Sequence, residues 1–492
     1  MKKSRPEPIA CKAYRMKEQN GYLTVFLTLI LTVMLSLCLT LVLGARESAR
    51  KMKTEYVTDI GMNSILAEYH RELLEQYDLF FIDTSYGTSL ASYEKTAEHL
   101  STYLTYNLGD EGIFLPILYR DPLKLELDNA EITEASVATD EEGAVLRRQA
   151  VDVMYQRIGV TFLREVAEWV RVADAYDMDS RDILAEEREA AAQLEAWNGT
   201  TIETADGERE VELENPGAAV VSFWEAGVLN FVVEDIDTLS SVSVDKTAYV
   251  SGRELLAGTG LNSALAFEDG FWEQLLFHEY ILEYTGRFDK EKEDGLLRYQ
   301  TEYILAGKEN DVENLKNIVY KLLAFRAVAN TVYLTGDTEK MNLLRLTTRI
   351  LATLIGLPAI AGVLQTILVL AWAMAESIYD VEQLLKGKRI LLMKTKTSWH
   401  YDLDQVMNFT GEHADEGGES GLRYEDYLRV FLCFQDKKVT TFRLMDVMEM
   451  DIRKTPGNLF FRMDGCIDSL KASIGYKSRD GKEYSIVRSY GY

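Results

Sequence analysis

Apolar and polar positions are distributed very unevenly along this chain. From Tyr22 to Leu43 run 22 consecutive residues without a charge, YLTVFLTLILTVMLSLCLTLVL. At about 1.5 Å of rise per residue, such a helix reaches roughly 33 Å, enough to cross a hydrocarbon core of about 30 Å. Past it the pattern turns amphipathic. Met62, Ile65, Leu66, Tyr69 and Leu73 recur at helical spacing, and no proline falls between Ala45 and Tyr77. The pattern predicts one long helix, with residues 22–43 in lipid and residues 44–77 as a stalk. A separate juxtamembrane helix after a short break is the other reading it allows. Gly61 costs about 1 kcal/mol relative to alanine without having to break the helix.

The body, residues 78–410, reads as mainly helical. Residues 77–83 are compact, aromatic and β-branched, which reads as a strand; residues 89–106 read as a helix. Residues 123–138 alternate, with Leu123, Leu125 and Leu127 on one face, as in a half-buried strand. Residues 142–197 are helical in pattern, broken near Asp177-Met178-Asp179. Ala205-Asp206-Gly207-Glu208 signals a hairpin or an exposed loop. Asn215-Pro216 closes that polar segment, and residues 220–233 return to the core. Residues 271–385 read as almost continuous helix. An acidic, glycine-rich loop at residues 411–421 then sets off a C-terminal piece, residues 422–492. Its pattern predicts helices at 424–434 and 441–452 and strands at 460–476 and 482–490, joined at Ser478-Arg479-Asp480-Gly481. The expected fold class is mainly α with minor β (α+β), its short antiparallel β element near the C-terminus.

A second apolar run, residues 350–375, carries no formal charge over 26 residues. Gly356-Leu357-Pro358 interrupts it, because proline lacks an N–H and disfavours helix just before it. The apolar face then continues through Ile378, Val381 and Leu385 among charged neighbours, the way a buried helix ends in a water-soluble core. The run is expected to form a core helical hairpin. The alternative, a second span, would carry the C-terminal piece into the cytoplasm.

Charge orients the first run. Lys2, Lys3, Arg5, Lys12, Arg15 and Lys17 precede it against only Glu7 and Glu18, so residues 1–21 form a basic tail expected on the cytoplasmic side. The apolar length exceeds the 7–15 residues of a cleaved signal, which favours an anchor, although a peptidase site at Val42-Leu43-Gly44 is conceivable. The whole chain carries a net charge of −26. Its body therefore lacks the clustered basic surface that nucleic acid requires and as a whole should be repelled by anionic lipid headgroups and anionic wall polymers. Of the four cysteines, Cys11 lies in the tail and Cys38 in the run. Cys433 and Cys466 could pair outside the cell, but two buried thiols are the plainer expectation.

Three stretches begin a catalytic or ion-binding pattern without completing it. His278-Glu279 resembles half of a zinc-protease motif, but Leu282 stands where the second histidine belongs. Asp289 to Gly295 is calcium-like in composition, yet its glycine comes one position late and Gln300 replaces the closing glutamate; a solvated charged turn is expected. Gly307-Lys308 lacks the upstream glycine of a phosphate loop, and no Gly-x-Ser-x-Gly marks a nucleophile. No catalytic, cofactor-binding or metal-binding residues are assigned, and no enzyme activity, cofactor or small-molecule substrate is expected.

Several phrases carry a resemblance. They are Gly21-Tyr22-Leu23-Thr24-Val25, the stretch from Leu74 to Gly87 (LEQYDLFFIDTSYG), Asn215-Pro216 with Gly227-Val228-Leu229-Asn230, the stretch from Glu302 to Lys308 (EYILAGK), and Trp372-Ala373-Met374-Ala375-Glu376-Ser377. In these the chain resembles a family of uncharacterised membrane proteins of Gram-positive bacteria, a domain of unknown function found near tight-adherence (Tad, or Flp) pilus genes. The opening of the apolar run also resembles TadE-like pseudopilins. It departs from them at Phe26, where prepilin processing favours glutamate. The resemblance implies a permanently anchored accessory protein. The expectation is a single-pass extracytoplasmic structural or assembly component with protein partners in a pilus or secretion apparatus. An anchored ligand-binding or sensing module is the alternative.

Overall fold

The computed structural model describes residues 20–109, 123–204, 207–226, 229, 239–261, 267–411 and 420–492. In chain order its elements begin with α1 (Asn20–Leu66), α2 (Arg71–Tyr77), β1 (Ile82–Asp83), α3 (Tyr93–Leu108) and β2 (Leu125–Val137). There follow α4 (Asp140–Tyr155), α5 (Val160–Ala175), α6 (Ile183–Glu195), β3 (Thr201–Thr204), β4 (Gly207–Glu210) and α7 (Ala218–Glu225). The middle comprises α8 (Phe271–Tyr284), α9 (Gln300–Ala306), α10 (Asp311–Gly336), α11 (Thr338–Ile355) and α12 (Ala361–Leu385). Last come α13 (Leu403–Met407), α14 (Tyr424–Cys433), α15 (Lys437–Arg453), β5 (Cys466–Ser478) and β6 (Glu483–Gly491). The fold is mainly α with a small antiparallel β component, as the patterning indicates.

The chain divides into two compact units, one formed by residues up to 65 with 97–131 and 472–488, the other by 66–96, 132–471 and 489–492. In the first unit, α1 is unbroken through the apolar run, whose side chains stand exposed. Thr24, Thr28, Thr32, Ser36 and Thr40 fold their hydroxyls onto carbonyls three or four residues earlier. The run therefore satisfies its own polar groups, which a lipid environment demands.

The lower half of α1 is gripped. Gly61 lets α3 approach so closely that a Cβ there would stand 2.6 Å from Leu104 Cδ2, so the helix-weakening residue is where the packing needs it. The Arg50 guanidinium is buried, donates to the Leu123 carbonyl at 3.0 Å and pairs with Asp480 at 2.8 Å. Thr58 meets the Tyr476 hydroxyl at 2.7 Å. Asp480 lies in the expected turn between β5 and β6, where Gly481 adopts a φ of 83°. That pairing, with hydrogen bonds from Arg50 and Ser478, holds the Asp480 carboxyl well below the usual carboxylate range.

The second unit holds the large core. In it α12 packs against α6, α7, α10 and α11, α8 lies on α4, and α14 lies on α5 and α8. β1 pairs antiparallel with β5, Ile82 opposite Ile467. The sheet order is β1-β5-β2, with β6 also on β5, and β3 and β4 form the anticipated hairpin.

Several boundaries differ from the patterning, among them the strand expected from residue 460, which begins only at Cys466. The stalk does not continue to residue 77: α1 stops at Leu66, and His70 caps a new helix by accepting from the Leu73 amide. Residues 77–83 are mostly not strand, because Asp78 takes a left-handed conformation (φ 53°) that ends α2 and only Ile82–Asp83 reaches β5. Residues 271–385 are not continuous helix. Gly286 is pressed so tightly between Lys292 and Arg298 that a side chain there would overlap backbone, and the segment forms a folded loop. Of the C-terminal piece, α15 packs on α4 and α9. Most of the 411–421 loop, the 1–19 tail and Gly227, Val228 and Asn230 lie outside the described residues.

A candidate functional site around a buried charge cluster

The second apolar run leads directly into a buried cluster of charged side chains in the second unit. Glu376 and Asp380 are four residues apart, hence on one face of α12, and both are fully buried. Lys394 reaches in from the segment after α12, with its Nζ 2.5 Å from Glu376 and 2.6 Å from Asp380. Arg326 on α10, also fully buried, pairs with Asp380 at 2.9 Å and donates to the Leu391 and Leu392 carbonyls at 2.9 and 2.7 Å. Asn330 bridges Asp380 and Ser377. Two carboxylates thus face two cations, and the buried charge cancels.

Burial pushes the Asp380 carboxyl up, but Lys394 and Arg326 outweigh it and hold it below the ordinary value. Glu376 also accepts backbone N–H groups of His400 and Tyr401 at 3.1 Å. The His400 ring stacks on Tyr379 at 3.9 Å, its Nδ1 3.8 Å from Glu376. Burial lowers the His400 pKa, yet the Glu376 carboxylate more than compensates and the net shift is upward. Beside the cluster opens a cavity of about 190 Å³, lined among others by Arg389, Lys394, Thr397, Ser398 and His400.

The positions singled out from sequence prove to be occupied differently. His278 is buried, its Nδ1 3.4 Å from Cys433 Sγ, and burial pushes its pKa down to about 3. Neighbouring Glu279 pairs with Arg429 at 2.7 Å. These two residues therefore face different partners rather than one ion. In the Asp289–Gly295 segment, Asp289 pairs with Arg287 at 2.7 Å and Lys292 with Asp451 at 3.0 Å, while Lys290, Glu291, Glu293 and Asp294 are exposed, as in a solvated charged turn. Cys433 and Cys466 are both free thiols.

The phrases that carry the resemblance act as joints. Tyr77 donates to Asp451 at 2.7 Å, and Asp78 pairs with Arg157 at 2.7 Å and accepts from Tyr284. The Asp83 carboxylate holds the Ser85 amide and hydroxyl. Asn215 ties Glu187 to the start of α7. Glu302 accepts from Tyr424 and from the Phe288 amide, both at 2.8 Å, and burial raises its pKa to about 7. Tyr303 donates to Asp446 at 2.7 Å, and Gly307, left-handed at φ 63°, makes room for Arg443, which covers the Ile304 and Leu305 carbonyls. Trp372 donates to the Tyr401 carbonyl at 2.8 Å. Sequence reasoning missed this role because Glu376 and Asp380 look like surface charges flanking an apolar face. Their four-residue spacing inside the continued apolar stripe was the available signal.

The molecule is thus a mainly helical protein with, among the described residues, two helices long and apolar enough to cross a bilayer, Gly21–Leu66 with its apolar run exposed and Pro358–Leu385 largely buried in the body, and with a body organised around buried, mutually neutralised polar joints. It belongs to the family of unknown function DUF5702, whose model matches residues 206–478, the segment containing the charge cluster. No curated protein and no solved structure matches the chain.

Proposed function

We propose that the chain is a membrane-anchored, extracytoplasmic structural or assembly component of a Tad-like pilus or secretion apparatus in a Gram-positive bacterium, and that it performs no catalysis. The observation that carries this reading is the use of the buried polar groups. Glu376, Asp380, Arg326, Lys394, Glu302 and Asp451 each tie elements together, which favours a rigid body over a reactive one. The exposed apolar stretch of α1 supplies the anchor, and the basic tail supports a cytoplasmic N-terminus with the body outside. Phe26 argues against processing into a filament subunit. The association with a pilus rests on the phrases quoted above.

Affinity purification of the tagged full chain from gently solubilised membranes tests the role. Pilus or secretion components should co-purify in comparable amounts. Recovery of the chain alone, under conditions that retain known minor components, would contradict it. A cleft of about 620 Å³ lined by Asp78, Phe80, Arg148, Gln149 and Arg157 favours the second reading, an anchored ligand-binding module. That reading requires a ligand to protect Arg148 or Arg157 from modification by phenylglyoxal.

A further inference from the structure

The helix α11 has two apolar faces, only one of which the fold uses. Leu344, Thr348 and Ala352 are buried toward the core. Leu343, Leu346, Ile350 and Leu354 recur at three- and four-residue steps, and at 100° per residue they fall within an arc of about 80° on another face. That face is open: the four side chains are 48%, 59%, 50% and 79% exposed. Single exposed leucines need no explanation, but a contiguous stripe does. Pro358 and Ala359 continue the exposed surface just beyond the helix.

Charge indicates what covers it. Between Lys340 and Ala375 there is no acidic residue, in a chain of net charge −26. Lys340 is committed to the body, lying over Trp372 and Trp399 at 4.8 and 5.0 Å. Arg345 and Arg349 are exposed beside the stripe, and among the described residues neither meets a carboxylate. This basic, amphipathic island on an acidic protein suits a surface that is apolar within and anionic at its rim. A second copy fits poorly, because an antiparallel pairing centred on the stripe would bring Arg349 against its own copy, placing like charges together.

We propose that the Leu343–Leu346–Ile350–Leu354 stripe, with Arg345 and Arg349, seats α11 in the interface of an anionic lipid bilayer. This surface goes beyond the proposed assembly role and does not require it.

The test places photoreactive benzoylphenylalanine at residue 346 or 350 of the full chain in vesicles of phosphatidylcholine, with or without phosphatidylglycerol. Residue 31 serves as an anchor control and Glu189, exposed on α6, as a solvent control. Lipid adducts are expected at 346 and 350, several-fold more abundant with phosphatidylglycerol, and absent at 189. The anionic preference should disappear in the Arg345→Gln/Arg349→Gln variant, whose side chains face solvent and whose melting temperature should not change. Cross-links to a second copy or to another segment of the chain would overturn the lipid assignment, as would labelling of 31 alone. Adducts at 346 and 350 with none at 31 would keep the surface and remove the anchor.

Discussion

Replacing Lys394 by methionine is the sharpest perturbation of the buried cluster. The ammonium is nearly inaccessible and sits between two fully buried carboxylates, at 2.5 Å from Glu376 and 2.6 Å from Asp380. Without it Asp380 keeps Arg326 at 2.9 Å and Asn330 at 3.1 Å. Glu376 keeps the backbone amides of His400 and Tyr401 and, at 3.8 Å, the His400 ring nitrogen. One negative charge is then left uncompensated in the core, which costs about 3–5 kcal/mol. For a unit of this size, the entropy of unfolding turns that into a fall in melting temperature of roughly 4–6 °C. Tryptophan fluorescence of the full chain in detergent can follow it, because Trp372 and Trp399 adjoin the cluster, their rings 5.8 Å apart. The Lys394→Met/Glu376→Gln variant, which removes one charge of each sign, should recover at least half of the loss. A single variant that melts within about 1 °C of the parent, or a double variant that is no better, would refute the idea that charge cancellation holds this core.

Two buried groups should give opposite pH slopes. His278 folds neutral with its pKa near 3 against 6.5 in the unfolded chain, so its contribution is complete above pH 6.5 and falls as the pH drops. About 2 kcal/mol should be lost between pH 6.5 and 5 and spared in His278→Gln, read as the change in slope of urea-unfolding free energy. Glu302 is raised to about 7 from 4.5, so its contribution is complete below pH 4.5 and fades as the pH rises toward 7. Glu302→Gln should remove about 3 kcal/mol of that decline in the same assay. Gly307→Ala would force a side chain into the left-handed region and onto the Arg443 guanidinium, 2.3 Å from the ideal Cβ. A loss of about 2–3 kcal/mol, measured by thermal denaturation, is expected.

The parts of the fold that were legible in the sequence are those with strong local periodicity. The apolar run, the alternation of β2, the Asp480-Gly481 turn and the break at Gly356-Leu357-Pro358 each follow from spacing or from a residue with restricted backbone freedom. What was not legible depends on partners distant in sequence. Asp78 ends α2 where the aromatic run suggested a strand, because its backbone turns left-handed and its carboxylate meets Arg157, 79 residues on. Gly286 and Gly295 fold a loop where hydrophobic spacing alone continued a helix. The charge cluster was invisible for the same reason: Arg326 and Asp380 are 54 residues apart, and nothing local distinguishes a buried carboxylate from a solvated one. The exposed stripe of α11 was equally hidden, since a helix with two apolar faces reads as a helix buried on both.

Intact-mass measurement of the mature chain, after separating carbonate-washed membranes from the culture medium, bears most directly on anchoring by α1. The mass recovered should retain the Tyr22–Leu43 segment and should be found in the membrane fraction. A chain free in the medium that begins at or beyond Ala45 would contradict it.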